Sequence, residues 1–434
     1  MTPAQLKSLI KTGAIDTVMV GFPDPFGRLV GKRCTADHFL ESVLKHGSHG
    51  CSYLLTVNLD MDPLDGFAVA NWDAGFGDFT LRPDMASLRV IPWQPATALV
   101  VCDCLRPDGA VVAEAPRSVL RRQLDALRQL GLTAAAASEL EFYLFNQTYH
   151  DAFASRYQDL TPSSDYRIDY HLMQPTRDEA LMRAIRTGMN GAGIPIESSK
   201  GEWGRGQHEV NFAWAEPIET ADRHAIFKQG VREIAHQHGK SISFMAKYAP
   251  AEAGSSGHLH VSLWKGSRNA FWERHARRRP SNTQTPGSNP TSAFAPDQPP
   301  SKDSPALHGS LLFRQFLGGL LKYTPELSLF FAPTINSYKR FQPGSWAPTR
   351  MAWAVDNRTT GYRIVGHGDG FRIENRMPGA DVNPYLAFAA TCAAGLAGVR
   401  ENLDCGQAYR GNAYIDPNLP RVPASLRDAA DLLD

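Results

Sequence analysis

The chain has 434 residues, of which 43% are hydrophobic and 21% charged, a composition typical of a globular protein with roughly two or three domains. Its 45 lysines and arginines against 44 aspartates and glutamates leave a net charge of +1, so nothing points to a nucleic-acid or anionic-membrane partner. The longest apolar run, Tyr385 to Val399, is too short to span a bilayer. The six cysteines form no CxxC motif, so we expect reduced thiols and a cytoplasmic location.

Residues 14–105 are predicted to form a small β-rich domain. Asp16 to Phe22 has the composition of a strand, the turn Asp24-Pro25-Phe26-Gly27 follows it, and Leu29 to Cys34 is the return strand. Asp60 to Asp84 is rich in turn-forming residues and has few helix signals.

A second, larger domain is predicted over residues 111–434. Pro116 stands at the first position of a helix that ends before Gly131. Apolar residues recur at helical spacing in three later segments: Thr176–Ala192, Ile218–His238 and Gly309–Tyr323. Pro384–Val399, which is rich in small residues, is predicted to be an internal helix. Lys265 to Pro305 contains three consecutive arginines and a tract of Pro, Ser and Asn, which predicts a disordered surface insertion.

Four further segments of this domain alternate between apolar and polar residues. Glu139 and Glu141 stand two residues apart in an apolar run, so in a strand they share one face. In the second segment Glu209 and Asn211 share a face, and in the third His258, His260 and Ser262 do. In the fourth segment the shared face carries Arg372, Glu374 and Arg376. Such strands, alternating with helices, predict an α+β fold with a curved sheet that is backed by helices and open to a polar cleft. For the first segment alone, a half-exposed edge strand with solvated acids remains an alternative.

The polar residues of these segments predict a site for metal ions and phosphate. Hard oxygen donors with one or two imidazoles suit Mg²⁺ or Mn²⁺, and two ions fit five acids better than one does. The acids are Glu139, Glu141, Glu202, Glu209 and Glu374. A basic group, Arg340, Arg358, Arg363, Arg372 and Arg376, is suited to phosphate and carboxylate oxygens. Taken singly, each arginine is better explained as a surface or structural residue, but together with the acidic strands they predict a polyphosphate substrate.

These motifs, in their order along the chain, resemble the glutamine synthetase superfamily, and specifically its γ-glutamyl-amine or polyamine ligase branch. The motifs are Glu139-Leu140-Glu141, Glu202 with Gln207-His208-Glu209, Gly254 to His260, Asn336 to Arg340, Asn357-Arg358 and Arg372 to Arg376. The resemblance covers nearly the whole chain. It implies an N-terminal β-grasp domain at residues 14–105, followed by a glutamine-synthetase-type catalytic domain with a curved antiparallel sheet backed by helices.

The resemblance also implies the reaction. The γ-carboxylate of glutamate would attack the γ-phosphate of ATP to give γ-glutamyl phosphate, and an amine or ammonia would then displace phosphate. Each active site would bind two Mg²⁺ or Mn²⁺ ions. The active species would be a homo-oligomer of stacked hexameric rings, in which an aspartate of the 60–84 loop (Asp62, Asp65 or Asp73) completes a neighbour's site.

By the same resemblance, each site residue acquires an expected role. The ligands of the two metal ions are Glu141, Glu202 and Glu209 for one and Glu139, His258 and Glu374 for the other. His260, Arg358, Arg363 and Arg372 would bind the nucleotide phosphates, whereas Gly254, Arg340 and Arg376 would bind glutamate. Arg340, Arg358 and Trp346 are the expected catalytic residues.

Trp346 departs from the pattern of the family. Glutamine synthetases carry a glutamate after Pro-Gly that closes the site and accepts a proton from ammonium, whereas this chain reads Pro343-Gly344-Ser345-Trp346. An indole cannot take that proton, but it offers an apolar wall to an alkyl or aryl amine. The leading hypothesis is therefore a glutamate–amine ligase. The alternatives are a true glutamine synthetase, in which Trp346 merely fills the loop, and a non-catalytic structural relative.

Overall fold

The computed structural model describes residues 1–273 and 309–433. The strands in these ranges are β1 Thr17–Pro23, β2 Leu29–Thr35, β3 Ser48–Cys51, β4 Asp78–Pro83, β5 Arg89–Val90, β6 Thr97–Leu105, β7 Thr133–Phe145, β8 Ile196–Gly201, β9 Gln207–Phe212, β10 Ser241–Ser243, β11 Gly257–Lys265, β12 Arg268–Asn269, β13 Trp353–Val355, β14 Tyr362–Val365 and β15 Arg372–Asn375.

The α-helices are α1 Pro3–Lys11, α2 Ala36–His38, α3 Leu44–His46, α4 Pro116–Gln129, α5 Tyr149–Ala154, α6 Glu179–Gly191, α7 Pro217–Gln237, α8 Leu311–Leu327, α9 Pro384–Arg400 and α10 Leu426–Leu433. Single 3-10 turns occur at Ser52–Leu55, Gln174–Asp178, Ser328–Phe330, Ser337–Arg340, Gly368–Gly370 and Ala413–Ile415, and a π-helical turn occurs at Phe39–Val43. No described helix is long and apolar enough to cross a membrane.

The N-terminal part of the chain forms a six-stranded mixed sheet. Its strand order is β2-β1-β6-β4-β3, and β5 also pairs with β6. The hairpin predicted from the turn at Asp24 is present as antiparallel β1 and β2, whereas β1 and β6 run parallel. Side chains of β6 alternate between two cores, because Val100 and Cys102 pack inside this domain while Leu99 and Val101 pack against the larger domain.

The larger domain is built on a nine-stranded sheet with the order β13-β14-β15-β11-β7-β9-β8. β10 pairs with the end of β7, and β12 pairs with β11. All of these pairs are antiparallel except β13 and β14, which run parallel, so the predicted antiparallel sheet is in fact mixed. Apolar residues behind β7 and β9 pack against α6 and α7, and those behind β11, β14 and β15 pack against α4, α8 and α9. The helices therefore cover one face and leave the other free for polar side chains.

The prediction of a disordered insertion is wrong for its first part. Lys265 to Glu273 is described and ordered, because β12 folds back on β11 after a turn at Gly266, whose φ is +61°. Phe271 is fully buried, and the side chain of Asn269 donates a hydrogen bond of 2.8 Å to the carbonyl of Phe371. These two contacts dock the segment on the domain. The remainder of the predicted insertion, residues 274–305, lies outside the described residues.

Candidate active site

The central strand β7 carries the two acids from which the site is built. Leu140 and Phe142 are fully buried in the core behind the sheet, where they pack with Phe227 of α7. Because side chains alternate along a strand, Glu139 and Glu141 are directed to the opposite, helix-free face. The alternative of a half-exposed edge strand is therefore wrong, since β7 is flanked by β11 and β9.

Strand register brings the other polar residues beside these two acids. Glu141 lies opposite Glu209 of β9, and Glu139 lies opposite His258 of β11. On the next strand pair, His260 lies opposite Glu374 of β15. Residues directly opposite each other in an antiparallel pair project from the same face. The register therefore places on one surface the side chains that the sequence could assign only strand by strand.

One group of acids consists of Glu141, Glu202 and Glu209, with one carboxylate oxygen of each lying within 4.8 Å of the others. Burial, reinforced by the neighbouring acids, raises the pKa of Glu141 to about 8 and that of Glu209 to about 9. Lys200 forms an ion pair with Glu202 and supplies part of the compensating positive charge. Three carboxylates this close and this buried are suited to a divalent cation, which would hold them ionised.

A second group consists of Glu139, His260 and Glu374, whose ligating atoms also lie within 4.8 Å of one another. The resemblance implied His258 in place of His260. The structure keeps both close, because His258 Nδ1 is 3.2 Å from Glu139 and 3.6 Å from Glu374. Burial alone would raise the pKa of Glu139, but the charge of His260 and the hydrogen bond from His258 hold it well below its usual value. Either imidazole can therefore complete this group.

The predicted arginines lie on both sides of Glu374. Arg363 Nη1 and Arg376 Nη1 donate to its two oxygens at 2.9 and 2.6 Å. Although burial would raise the pKa of Glu374, Arg376 and the histidines lower it to about 2. Arg372 donates to His260 Nδ1 at 3.1 Å. Arg358 is exposed, and within the described part of the chain its side chain has no hydrogen-bond or ion-pair partner.

Arg340 is fully buried and is held by backbone atoms. Its Nη1 and Nη2 each donate at 2.8 Å, to the carbonyls of Met377 and Arg376 respectively. A Cβ at Gly254 would lie 2.4 Å from Cγ of Arg340, so the close packing of these two residues requires glycine at position 254. Arg340 therefore fixes the backbone beside Arg376, and only its Nε has no partner among the described residues.

Trp346 lies at the edge of this site on the loop after Gly344. Its φ is +64°, an uncommon value for a bulky residue, and its carbonyl accepts a hydrogen bond of 3.0 Å from Arg376 Nη2. Trp346 is 47% exposed as a residue, and its indole makes an edge-to-face contact with that of Trp203, with 6.0 Å between the ring centroids. This exposure argues against the alternative that Trp346 merely fills the core of its loop.

Residues 113–285 and 295–434 match the family model of the glutamine synthetase catalytic domain. The chain belongs to the glutamine synthetase family. The predicted family is thus confirmed, together with its fold of mixed sheets and helices. No comparison identifies the N-terminal sheet as a β-grasp domain.

Relatives of this glutamine synthetase family member cover nearly its whole length. GlnA4 of Streptomyces coelicolor, a γ-glutamylethanolamide synthetase, is 46% identical over 429 residues, which span 99% of this chain and 86% of the relative. A glutamate–isopropylamine ligase of a Pseudomonas species is 33% identical, spanning 99% of this chain and 88% of the ligase. A solved GmaS/ADP complex has a TM-score of 0.80 at 26% identity, with 100% of this chain and 90% of that chain covered. The predicted enzyme class, a ligase, is confirmed.

The donor set of this family member fits two hard divalent cations. Each group offers three ligands, mostly carboxylate oxygens, and together the two groups contain the five predicted acids. The Nε2 atom of His258 is buried without a hydrogen-bond partner in the described residues, as expected of an imidazole that faces a ligand. Magnesium or manganese suits such donors, and neither of the two groups contains a cysteine.

Three supporting residues of the site were not predicted. Lys200 stands two residues before Glu202, and this spacing was a signal that could have placed both on one face. Gln207 donates to Glu141 at 3.2 Å, and the backbone N–H of Ser256 donates to the same oxygen at 2.7 Å. A backbone donor leaves no trace in a sequence, so the second contact could not have been found in advance.

Proposed function

We propose that this enzyme joins the γ-carboxylate of glutamate to a primary amine, at the expense of ATP. In the first step a γ-carboxylate oxygen bonds to the γ-phosphorus of ATP, and the bond from that phosphorus to the β–γ bridging oxygen breaks, releasing ADP. In the second step the neutral amine nitrogen bonds to the acyl carbon, and the carbon–oxygen bond breaks to release phosphate. The amide nitrogen loses its extra proton to solvent.

Trp346 is the observation that carries the proposal. The family's glutamate at this loop position would accept a proton from ammonium, and the structure gives position 346 a half-exposed indole. Among the relatives are a γ-glutamylethanolamide synthetase and a glutamate–isopropylamine ligase, each named for an amine rather than ammonia. An apolar wall binds the carbon chain of an amine, which ammonia does not have.

We propose that the nucleotide occupies the cavity that adjoins the second metal group, which consists of Glu139, His260 and Glu374. This cavity has a volume of about 570 Å³, within the range of small-molecule sites, and Glu139, His260 and Arg372 lie along it. Trp214 and Trp264 line its far part and stack on each other, with centroids 6.0 Å apart and an interplanar angle of 12°. The charged end suits phosphates and the aromatic end suits a base.

The proposed roles of the remaining residues follow from their positions. Arg363 donates to Glu374 and Arg372 donates to His260, so both would neutralise phosphate charge beside the second group. Arg358 would join them by the family resemblance. Arg376, supported by Arg340, would hold a carboxylate of glutamate. Bound Mg²⁺ or Mn²⁺ would supply Lewis-acid stabilisation of phosphoryl oxygens, through Glu141, Glu202 and Glu209 on one side and Glu139, Glu374 and a histidine on the other.

A true glutamine synthetase is the second candidate, because the metal and arginine groups would serve ammonia equally well. ADP release should be measured with glutamate, ATP and Mg²⁺ against ammonia and a panel of primary amines. We expect a higher kcat/KM for some amine than for ammonia, and we expect Trp346→Glu to shift the ratio toward ammonia. If ammonia is the best nucleophile of the wild type at neutral pH, the amine-ligase proposal fails.

We also propose a cytoplasmic ring oligomer, two hexamers stacked, in which residues 14–105 form a β-grasp domain beside the neighbour's catalytic domain (111–434). The support is an exposed apolar surface on the loop between β3 and β4, where Leu59 and Trp72 are 59% and 67% exposed. Contact with a neighbour would bury these side chains. A fully active monomer in light scattering would contradict this part of the proposal.

A further inference from the structure

Trp203, a residue that the reaction scheme leaves unused, lies on the turn between β8 and β9. It directly follows Glu202, whose carboxylate accepts a hydrogen bond of 3.2 Å from the backbone N–H of Trp203. The turn is tightly packed, because a Cβ at Gly204 would lie 1.9 Å from the hydroxyl of Tyr143. As a residue, Trp203 is 39% exposed. This tightly packed turn thus holds a large apolar ring next to the first metal group, which consists of Glu141, Glu202 and Glu209.

Trp203 and Trp346 approach each other from two separate loops. Their rings meet edge to face at an interplanar angle of 66°. Trp346 is fixed by the hydrogen bond of its carbonyl to Arg376, and Trp203 is fixed by its bond to Glu202, so both backbones are tied to the proposed metal and glutamate sites. The two indoles therefore contact each other at the edge of one site and enclose a corner between them.

Arg167 places a positive charge beside this corner, near the carboxylate of Glu202. The guanidinium of Arg167 lies over the ring of Trp203, 4.4 Å from its centroid, a cation–π arrangement. The backbone of Arg167 pairs with that of Arg205, and Ile168, the next residue, is fully buried, so the chain carrying this arginine is ordered. A second ammonium group on a bound amine would be repelled by Arg167, and it would find the face of Trp203 already occupied.

We infer that Trp203 and Trp346 form the two walls of the amine subsite, and that Arg167 makes this subsite select monoamines with an uncharged tail over diamines and polyamines. This inference rests on the proposed amine-ligase function. It deepens that function by naming the class of amine. Trp203 and Trp346 contact the tail of the amine, while Arg167 determines specificity through its charge.

A matched pair of nucleophiles tests the role of Arg167. n-Propylamine and 1,3-diaminopropane have the same carbon chain and differ by one ammonium group, and 3-amino-1-propanol is a control with a polar but uncharged tail. We expect wild type to prefer n-propylamine and 3-amino-1-propanol to the diamine in kcat/KM. Arg167→Glu should lower this preference by roughly tenfold, the size expected for a charge reversal a few ångströms from a screened charge. Arg167→Leu should have an intermediate effect.

The role of Trp203 is tested with hydroxylamine as the reference nucleophile, because hydroxylamine has no carbon tail. Trp203→Ala should lower the ratio of kcat/KM for n-propylamine over hydroxylamine by roughly tenfold, since about two methylene groups lose their apolar contact. Trp203→Phe should retain most of the ratio. A change in the metal group next to Trp203 would affect both nucleophiles equally and would leave the ratio unaltered.

The outcomes separate the inference from the proposed function. If wild type uses amines better than ammonia, but Arg167→Glu leaves the monoamine preference unaltered or wild type prefers the diamine, the inference is wrong and the amine-ligase function stands. If ammonia is the best nucleophile of wild type, both are wrong. If Trp203→Ala does not fold, Arg167→Glu and Arg167→Leu still decide the question, because Arg167 is exposed.

Discussion

Arg117→Met should strongly destabilise the protein, because Arg117 joins the two domains through a buried network of acids. Its Nε and Nη2 donate to Asp222 of α7 at 3.1 and 2.8 Å. Its Nη1 donates to Asp103 of β6 at 2.6 Å, and its Nη2 to Asp84, beyond β4, at 2.8 Å. Arg117 and Asp222 are 2% and 1% exposed.

The magnitude follows from what the substitution leaves behind. Without Arg117, the buried carboxylate of Asp222 retains, among the described residues, only the hydroxyl of Tyr385, which donates to it at 2.7 Å. Removing one partner of a buried ion pair costs about 3–5 kcal/mol of unfolding free energy. Methionine fills a similar volume, so the loss reports the charge rather than a cavity.

Arg121→Met is the matched control. Arg121 lies one helical turn later and contacts the same Asp84 and Asp103, at 2.7 and 3.3 Å, but its side chain is 38% exposed. An exposed pair contributes at most about 1 kcal/mol. Denaturant midpoints of the two variants, at equal protein concentration, give the comparison. If Arg117→Met and Arg121→Met cost the same, the buried network does not hold the domains together and the reasoning is refuted.

Three further predictions concern the first metal group, the packing of Arg340 and the buried Lys228. Glu209→Gln should abolish most of the rise in melting temperature that Mg²⁺ gives wild type over EDTA, because one of three ligands in its group is lost; an unchanged rise would refute the assignment. Gly254→Ala should raise the KM for glutamate more than that for ATP, because the new Cβ would displace Arg340, and equal effects would contradict this role. Burial lowers the pKa of Lys228 from its ordinary value of 10.5 to about 7. Between pH 7 and pH 10.5 this lysine is therefore protonated in the unfolded chain and neutral in the folded protein. Stability should therefore rise with pH in this window, by at most about 1.4 kcal/mol per unit from this group, and Lys228→Met should flatten the slope of the unfolding midpoint; equal slopes would exclude Lys228 as the source.

The sequence was sufficient to predict which face of each site strand is polar. Glu139 and Glu141, like His258 and His260, stand two residues apart, and this spacing alone fixes a common face. Helices α6, α7 and α8 were likewise predictable, because apolar residues recur at helical spacing in their segments, whereas α9 was predicted from its run of small residues. Predicted helix bounds such as Ile218–His238 differ from the observed Pro217–Gln237 by one residue at each end.

Strand register and long-range packing could not be predicted in the same way. The sequence does not state that His260 lies opposite Glu374, so the presence of His260 in the second group, beside the His258 that the resemblance implies, could be seen only in the structure. Arg340 was expected to contact glutamate, which stays a prediction, but its packing against Gly254 and its bonds to two backbone carbonyls could not be predicted, because they join segments far apart in the chain. The ordered start of the insertion has the same cause, since Phe271 is buried by residues distant in sequence.

The position of Trp346 explains how one site can change its nucleophile and keep its phosphoryl chemistry. Arg376 donates through Nη2 to the backbone carbonyl of Trp346 and through Nη1 to Glu374 of the second metal group. The loop is therefore tied to the site by a main-chain atom, which any residue at position 346 would supply. The side chain is free of that constraint and half exposed toward Trp203. Substitution at this position can exchange a proton acceptor for an apolar wall without moving the groups that handle phosphate, so Trp346→Glu should alter the choice of nucleophile far more than the affinity for ATP.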